Sequence, residues 1–352
     1  MIRYIIFLLL LPTLSFSQTK KVIHGKVIGV SKDTLMIYPD RSIPKKFYEI
    51  EEMITPIDDE TFTVSPKITY PQLVYTIFAK DQGYVLNRPK SFFVDETSTA
   101  IVINASNWED SYVQGKTGNE YEEQFKLFIN GQKTKADNYS LYSLPFLKDA
   151  KVDTLLFNYS KSNPDSFISL WFLIKRYYQF GHSEIREKHL QQFSDNVKKN
   201  KIWQLLNEDI SNALLKEGEL FPPMQLLNSN LQSHSLTENT GKYFLLDFWF
   251  TSCKPCLEAI PRLNDIYKKF NNSGLEIISV SVDRDPTVEK WLKRIMEGDM
   301  PWKHSLDLNG LNSEKLFVKN FPRYILLDEN WKVINTDITL DRLETFLNDK
   351  LK

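Results

Sequence analysis

The stretch FWFTSCKPCLEAIP, residues 248–261, holds the only two cysteines of the chain, Cys253 and Cys256, separated by Lys254 and Pro255. A structural staple, part of a metal site and a redox couple are the competing explanations. A disulfide closing so short a loop removes little entropy from the unfolded chain, so a staple explains the pair poorly. A zinc site needs about four ligands. His24, His182, His189, His234 and His304 stand at no finger-like spacing from the cysteines, although distant residues can converge in space. A redox couple needs one thiol with a lowered pKa and a second thiol close enough to attack the mixed disulfide that forms.

The flanks favour the last explanation. KYFLLDFWF, residues 242–250, is a nearly continuous apolar run suited to a strand buried on both faces. A helical pattern follows from about Lys254 to Phe270. Cys253 is therefore expected at a helix N-terminus, where unpaired backbone N–H groups favour a thiolate. Lys254 adds a positive charge nearby, and Pro255 falls in the first turn, where a missing N–H costs little. Cys256 sits one turn further in. These positions make Cys253 the attacking thiol and Cys256 the resolving one. Asp247 is a carboxyl inside the apolar strand, where burial raises its pKa. Such an acid can take the proton of the resolving thiol. The bland alternative is an aspartate at a strand edge, bonded to backbone.

Further out, GLEIISVSVD (274–283) reads as a second buried strand and TVEKWLKRIMEG (287–298) as a helix. RYILLDE (323–329) and WKVINTD (331–337) read as a strand pair, and LDRLETFLNDK (340–350) as a closing helix. Alternating strands and helices argue for an α/β domain with a mixed sheet over residues 219–352.

At these residues the chain resembles the thioredoxin fold, and within it the TlpA/ResA-like exported thiol-disulfide oxidoreductases. The resemblance rests on Asp247-Phe248-Trp249, on Cys253-Lys254-Pro255-Cys256, on the helix proline Pro261, and on Pro322 ahead of a strand, in that order. It covers roughly residues 220–352. It implies a cis-proline at Pro322 beside the dithiol, and a backbone at Phe321 that pairs with a substrate peptide. Trp249, Ser252, Pro255 and Phe321 are the expected substrate surface. It also implies protein thiols and disulfides as substrates, a membrane thiol donor as electron source, and no cofactor beyond the Cys253–Cys256 disulfide. Two positions depart from the pattern. Ser252 replaces the usual tryptophan before the first cysteine and is expected to expose Cys253. Ala259 stands where the family often has an acid. Glu258 lies one position earlier, rotated by about 100° on a helix, so that role is not carried over.

The remaining chain divides by its patterning. Residues 1–17 (MIRYIIFLLLLPTLSFS) have a basic start, a short apolar core and small residues, as in a secretory signal peptide. The apolar run is shorter than the ~20 residues of a membrane span. A periplasmic or envelope location follows as the expectation. Residues 18–110 carry short β-branched and aromatic runs, which predict a β-rich, sandwich-like domain. Residues 111–218 switch to helical periodicity. Within them the stripe Phe167, Trp171, Ile174 and Tyr178 is either core or a binding groove. Linkers are expected near 107–117 and 218–240. Less specifically, this half resembles the extensions that precede such domains in Bacteroidetes-type exported proteins.

With 352 residues, more than one domain is expected. A formal charge of −1 gives no long-range attraction for nucleic acid or an anionic membrane. Two other functions stand beside the oxidoreductase. A peroxiredoxin-like thiol peroxidase would carry Thr or Ser three positions before the attacking cysteine, where Phe250 stands. A binding or scaffold protein of the envelope would need neither cysteine.

Overall fold

The computed structural model describes residues 22–79, 90–133, 144, 147, 150–236 and 241–351. The stretch 1–17, expected to be a signal peptide, lies outside them. Among the described residues no helix is long and apolar enough to cross a membrane.

The N-terminal half begins with β1 (Ile23–Ile28), β2 (Lys32–Pro39), β3 (Met53–Asp58), β4 (Thr61–Val64), β5 (Gln72–Phe78), β6 (Lys90–Val94), β7 (Ala100–Asn104) and β8 (Tyr112–Gln114). Buried and exposed residues alternate along β1 and β4, the signature of strands with one face on a core. The strands form one continuous sheet in the order β6-β5-β2-β3-β4-β1-β7-β8, and the end strands β6 and β8 approach each other. Of the small sandwich or barrel that such short strands suggest, the structure has the rolled single sheet. Two strands escape the sequence pattern. Pro56 interrupts β3, and a proline argues against a strand because it cannot donate to a ladder. β8 is three residues long and lies inside the supposed linker 107–117.

Helices follow: α1 (Lys116–Glu120), a π-helical turn at Tyr121–Phe125, α2 (Lys126–Gln132), α3 (Ala150–Ser162), α4 (Phe167–Phe180), α5 (Glu184–Gln191), α6 (Asp195–Lys198) and α7 (Lys201–Ser211). Ser166, Ser183, Ser194 and Asn200 cap α4 to α7 by accepting backbone N–H bonds, which fixes where each starts. α4 is the axis of this layer. Trp171, Ile174 and Tyr178 are buried in its core, and Phe167 packs against it, so the aromatic stripe is core and not a groove. Even its charged residues are buried. Lys175 pairs with Asp40 at 2.7 Å, and Arg176 and Arg186 share Asp153 at 2.9 Å each. Burial alone would raise the Asp153 pKa, but the two guanidinium groups hold it down at about 2.

The C-terminal part contains β9 (Gln225–Leu227), β10 (Ser233–Ser235), β11 (Tyr243–Trp249), α8 (Lys254–Phe270), β12 (Leu275–Ser281), α9 (Val288–Glu297), β13 (Lys303–Leu306), α10 (Leu311–Lys315), β14 (Arg323–Asp328), β15 (Val333–Asn335) and α11 (Leu340–Lys350). Its sheet runs β10-β9-β13-β12-β11-β14-β15. β11 to β13 are parallel, whereas β14 and β15 are antiparallel additions. This is the mixed sheet of a thioredoxin-like domain. β11 and β12 are central and buried on both faces, which explains their unbroken apolar runs. The stretch 218–240, expected to be a linker, contains the β9–β10 hairpin, and β9 pairs with β13.

Candidate active site

β11 ends at Trp249 and α8 starts at Lys254, so a four-residue turn carries the chain from the sheet to Cys253. Asp283, buried just past β12, holds this turn. It accepts the Thr251 backbone N–H at 3.0 Å, the Thr251 hydroxyl at 2.7 Å and the Ser281 hydroxyl at 2.6 Å. Val282 N–H donates to Trp249 O at 2.9 Å, and Cys253 N–H to Phe250 O at 3.0 Å. The path into the cysteine pair is therefore hydrogen-bonded at each step.

Cys253 is the N-cap of α8, and its sulfur accepts the Cys256 backbone N–H at 3.3 Å. Pro255 lies in the first helical turn and Pro261 inside the helix. Cys253 and Cys256 form a disulfide with a Cα–Cα distance of 5.3 Å. Unpaired N–H groups at this helix start stabilise negative charge on the capping sulfur once the bond is reduced. Lys254 is a weaker aid. Its ammonium is largely exposed and lies 3.8 Å from the equally exposed Glu258, where water screens both charges.

One expectation fails here. Ser252 is exposed, yet Cys253 is only 4% exposed, the same as Cys256. Both sulfurs belong to an apolar cluster with Trp249, against which Phe250 and Phe321 pack. Cys253 is therefore buried in the oxidised protein although its neighbour is small.

The Phe321–Pro322 peptide bond is cis, as the sequence led us to expect. Phe321 packs edge-on to Phe250, with ring centroids 5.5 Å apart, so the Phe321–Pro322 segment lies against the apolar cluster that holds the two sulfurs. Trp249, 2% exposed, belongs to that cluster, and Pro255 is exposed.

Asp247 sits on the central strand and is 5% exposed. Burial pushes its carboxyl up to about 7, although the Ser279 hydroxyl donates to Oδ2 at 2.8 Å and pulls the other way. Ser279 faces Asp247 across the parallel β11–β12 pair, and the Trp302 indole N–H donates to Ser279 Oγ at 2.8 Å. Sequence reasoning missed Ser279, Asp283 and Trp302. The signal for Ser279 and Asp283 was present in EIISVSVD, where polar residues interrupt a strand otherwise made for burial.

The histidines are engaged elsewhere. His182 contacts Glu187, His189 contacts Ser169, His234 contacts Ser305 and His304 contacts Met300 O. Among the described residues no group of three or more His, Cys, Asp or Glu is placed to hold a metal ion.

Comparison with known proteins agrees with this geometry. Residues 216–345 match the Redoxin family. The chain is 29% identical over 145 residues to the thiol-disulfide oxidoreductase ResA of Oceanobacillus iheyensis, covering 39% of this chain and 74% of that protein. It is 32% identical over 116 residues to the ResA of Bacillus thuringiensis, covering 32% of this chain and 65% of that one, just under two thirds of its length. Among solved structures, the thioredoxin domain of a thiol-disulfide oxidoreductase from Bacteroides vulgatus is 30% identical, covering 39% of this chain and 99% of that domain, with a TM-score of 0.36. Residues 216–345 thus match the Redoxin family, and over part of its length the chain is similar to ResA-type thiol-disulfide oxidoreductases.

Proposed function

We propose that the protein is an exported oxidoreductase that reduces disulfides in other proteins through the Cys253–Cys256 couple. The observation that carries this reading is the disulfide at the start of α8, with Cys253 as its N-cap. The leader-like stretch 1–17 supports export.

The cycle starts from the oxidised pair. A donor dithiol attacks the Cys253–Cys256 bond, becomes a disulfide itself and leaves two reduced thiols on the protein. The thiolate of Cys253 then attacks one sulfur of the target disulfide. The Cys253–target bond forms, the target S–S bond breaks, and the departing target thiolate takes a proton from solvent. Next, Cys256 gives its proton to the carboxylate of Asp247 and attacks Cys253 Sγ. This releases the second target thiolate, which takes up a proton, and restores the Cys253–Cys256 disulfide. Two electrons have passed from donor to target. An acid with a pKa of about 7 is suited to this exchange, because near neutral pH it holds and returns a proton with little driving force either way. The backbone at Phe321 would pair with the target peptide, and Trp249, Ser252 and Pro255 would line its path.

Single-cysteine variants test the assignment. Cys253→Ser is expected to abolish exchange. Cys256→Ser is expected to accumulate mixed disulfides with target proteins, seen as adducts on non-reducing gels, because the second thiol can no longer release them. Trapping by Cys253→Ser instead would reverse the two roles. Trapping by neither variant would end the reading.

A further inference from the structure

The side chains of the two residues that bracket Phe321–Pro322 reach out of the redox domain to the end of α4. Asn320 Nδ2 donates to Gln179 O at 2.6 Å. Arg323, 2% exposed, donates from Nη2 to Gln179 O at 3.0 Å and from Nη1 to Phe180 O at 2.7 Å. Gln179 and Phe180 are the last two residues of α4. A helix leaves its final carbonyls without intrahelical partners, and the partial negative charge there favours a cation. Gly181 N–H takes the carbonyl of Tyr177. The carbonyls of residues 179 and 180 accept from the redox domain, and that of Phe180 also takes Arg186 Nη1 at 3.4 Å.

The other contacts along this seam point the same way. Thr336 Oγ1 donates to His182 O at 2.5 Å, and Phe317 lies beside Tyr177 and Tyr178, with ring centroids 6.2 and 6.0 Å away. On the redox side Arg323 is also paired with Asp337 at 3.3 Å, so its guanidinium spans from the sheet to the helix end. α4 is itself fixed to the β-rich half, through Trp171 Nε1 donating to Pro71 O at 2.6 Å and the Lys175–Asp40 pair. A continuous chain of packed and hydrogen-bonded groups thus runs from the N-terminal sheet, through α4, to both flanks of Phe321–Pro322.

We infer that the N-terminal half acts as a clamp that sets the position of the Phe321–Pro322 segment, with Asn320 and Arg323 as its positioning residues, and so controls how the redox domain engages peptide substrates. The inference rests on the dithiol reading above. It assigns to α4 a task in recognition rather than in sulfur chemistry. A small disulfide that reaches Cys253 without lying along the segment has no need of the clamp. A polypeptide that pairs with the backbone at Phe321 does.

The test compares full-length wild type with Asn320→Ala and Arg323→Lys. The lysine keeps the charge opposite Asp337 but loses the planar fork that reaches two carbonyls. Asn320→Ala removes one half-buried amide and keeps the question open should Arg323→Lys fail to fold. Two oxidised probes are used, disulfide-bonded insulin and the small aromatic disulfide of 2-nitrobenzoate, and the redox potential of each variant is titrated. The expected result is a KM for insulin raised about tenfold, the scale of losing one hydrogen bond to a strong acceptor. The redox equilibrium constant and the rate with the aromatic disulfide stay within about twofold of wild type. An unchanged KM for insulin overturns the clamp, and so does a parallel loss with both probes, which is general loosening. If wild type turns over both probes and the variants match it, the clamp alone has failed. If wild type reacts with neither, the dithiol reading has failed and takes the clamp with it.

Discussion

Asp247 and Ser279 face each other across the two central parallel strands, and the Ser279 hydroxyl, itself receiving the Trp302 indole N–H, donates to Asp247 Oδ2 at 2.8 Å. This bond favours the charged carboxylate, whereas burial disfavours it and is the larger effect. Ser279→Ala removes the smaller influence and is expected to raise the Asp247 pKa above about 7, by roughly one unit for one lost hydrogen bond. The pH at which the Cys256-dependent step reaches half its maximal rate should move up by the same amount. Single-turnover release from a preformed mixed disulfide, followed from pH 5 to 9, reads this directly. An unmoved profile would take Asp247 out of the proton path.

Asp247 also links stability to pH. Its folded pKa is raised to about 7, above the ordinary value of 3.8. Between these values the native state binds a proton that the unfolded chain has lost, so stability falls as pH rises from about 4 to about 7. Asp247→Asn should flatten that part of the curve. Denaturant unfolding of the oxidised protein at pH 5 and pH 8 provides the check, with a larger pH difference in wild type than in the variant.

Asp153 follows the opposite sign. Its folded pKa is lowered to about 2, so the stability it contributes is present above about 4 and is lost as pH falls towards 2. Asp153→Ala leaves Arg176 and Arg186 buried without their shared partner. The expected cost is about 3–5 kcal/mol at pH 7, measured by denaturant unfolding. A loss below about 1 kcal/mol would mean that water or another acceptor reaches the two guanidinium groups.

Asp283 is expected to matter for rate as well as for stability. Asp283→Ala frees both Thr251 contacts and one from Ser281, at about 1–3 kcal/mol. The turn into Cys253 loosens, and attack by Cys253 on a small disulfide should slow by about tenfold or less. Stopped-flow kinetics with the reduced protein decides it. Lost stability with an unchanged rate would make Asp283 a scaffold residue only.

How much of this was legible in the sequence depended on burial. β11 and β12 announce themselves because strands covered on both faces hold few polar residues, and α8, α9 and α11 because one-sided burial stamps a helical period on the sequence. Cys253 and Cys256 were legible from their spacing, and Pro322 through the family resemblance. Short edge elements were not. β8, β9, β10 and β13 have three or four residues each, too few for a period, and β3 carries Pro56. Burial of Cys253 was not legible because it arises in a cluster gathered from distant parts of the chain, with Phe321, 68 residues beyond it, packed against that cluster. The Asn320 and Arg323 contacts were invisible for the same reason, since their partners are backbone carbonyls whose availability only the end of α4 reveals.

The most direct test of the central claim is a redox titration of the full-length protein, with thiol trapping to count the reduced cysteines. The account predicts one reversible two-electron transition that involves Cys253 and Cys256 together, at a potential close to the reducing value of about −270 mV typical of thioredoxin. A potential near about −120 mV would mark an oxidant and contradict the proposed direction. The absence of any reversible transition would contradict the redox couple itself.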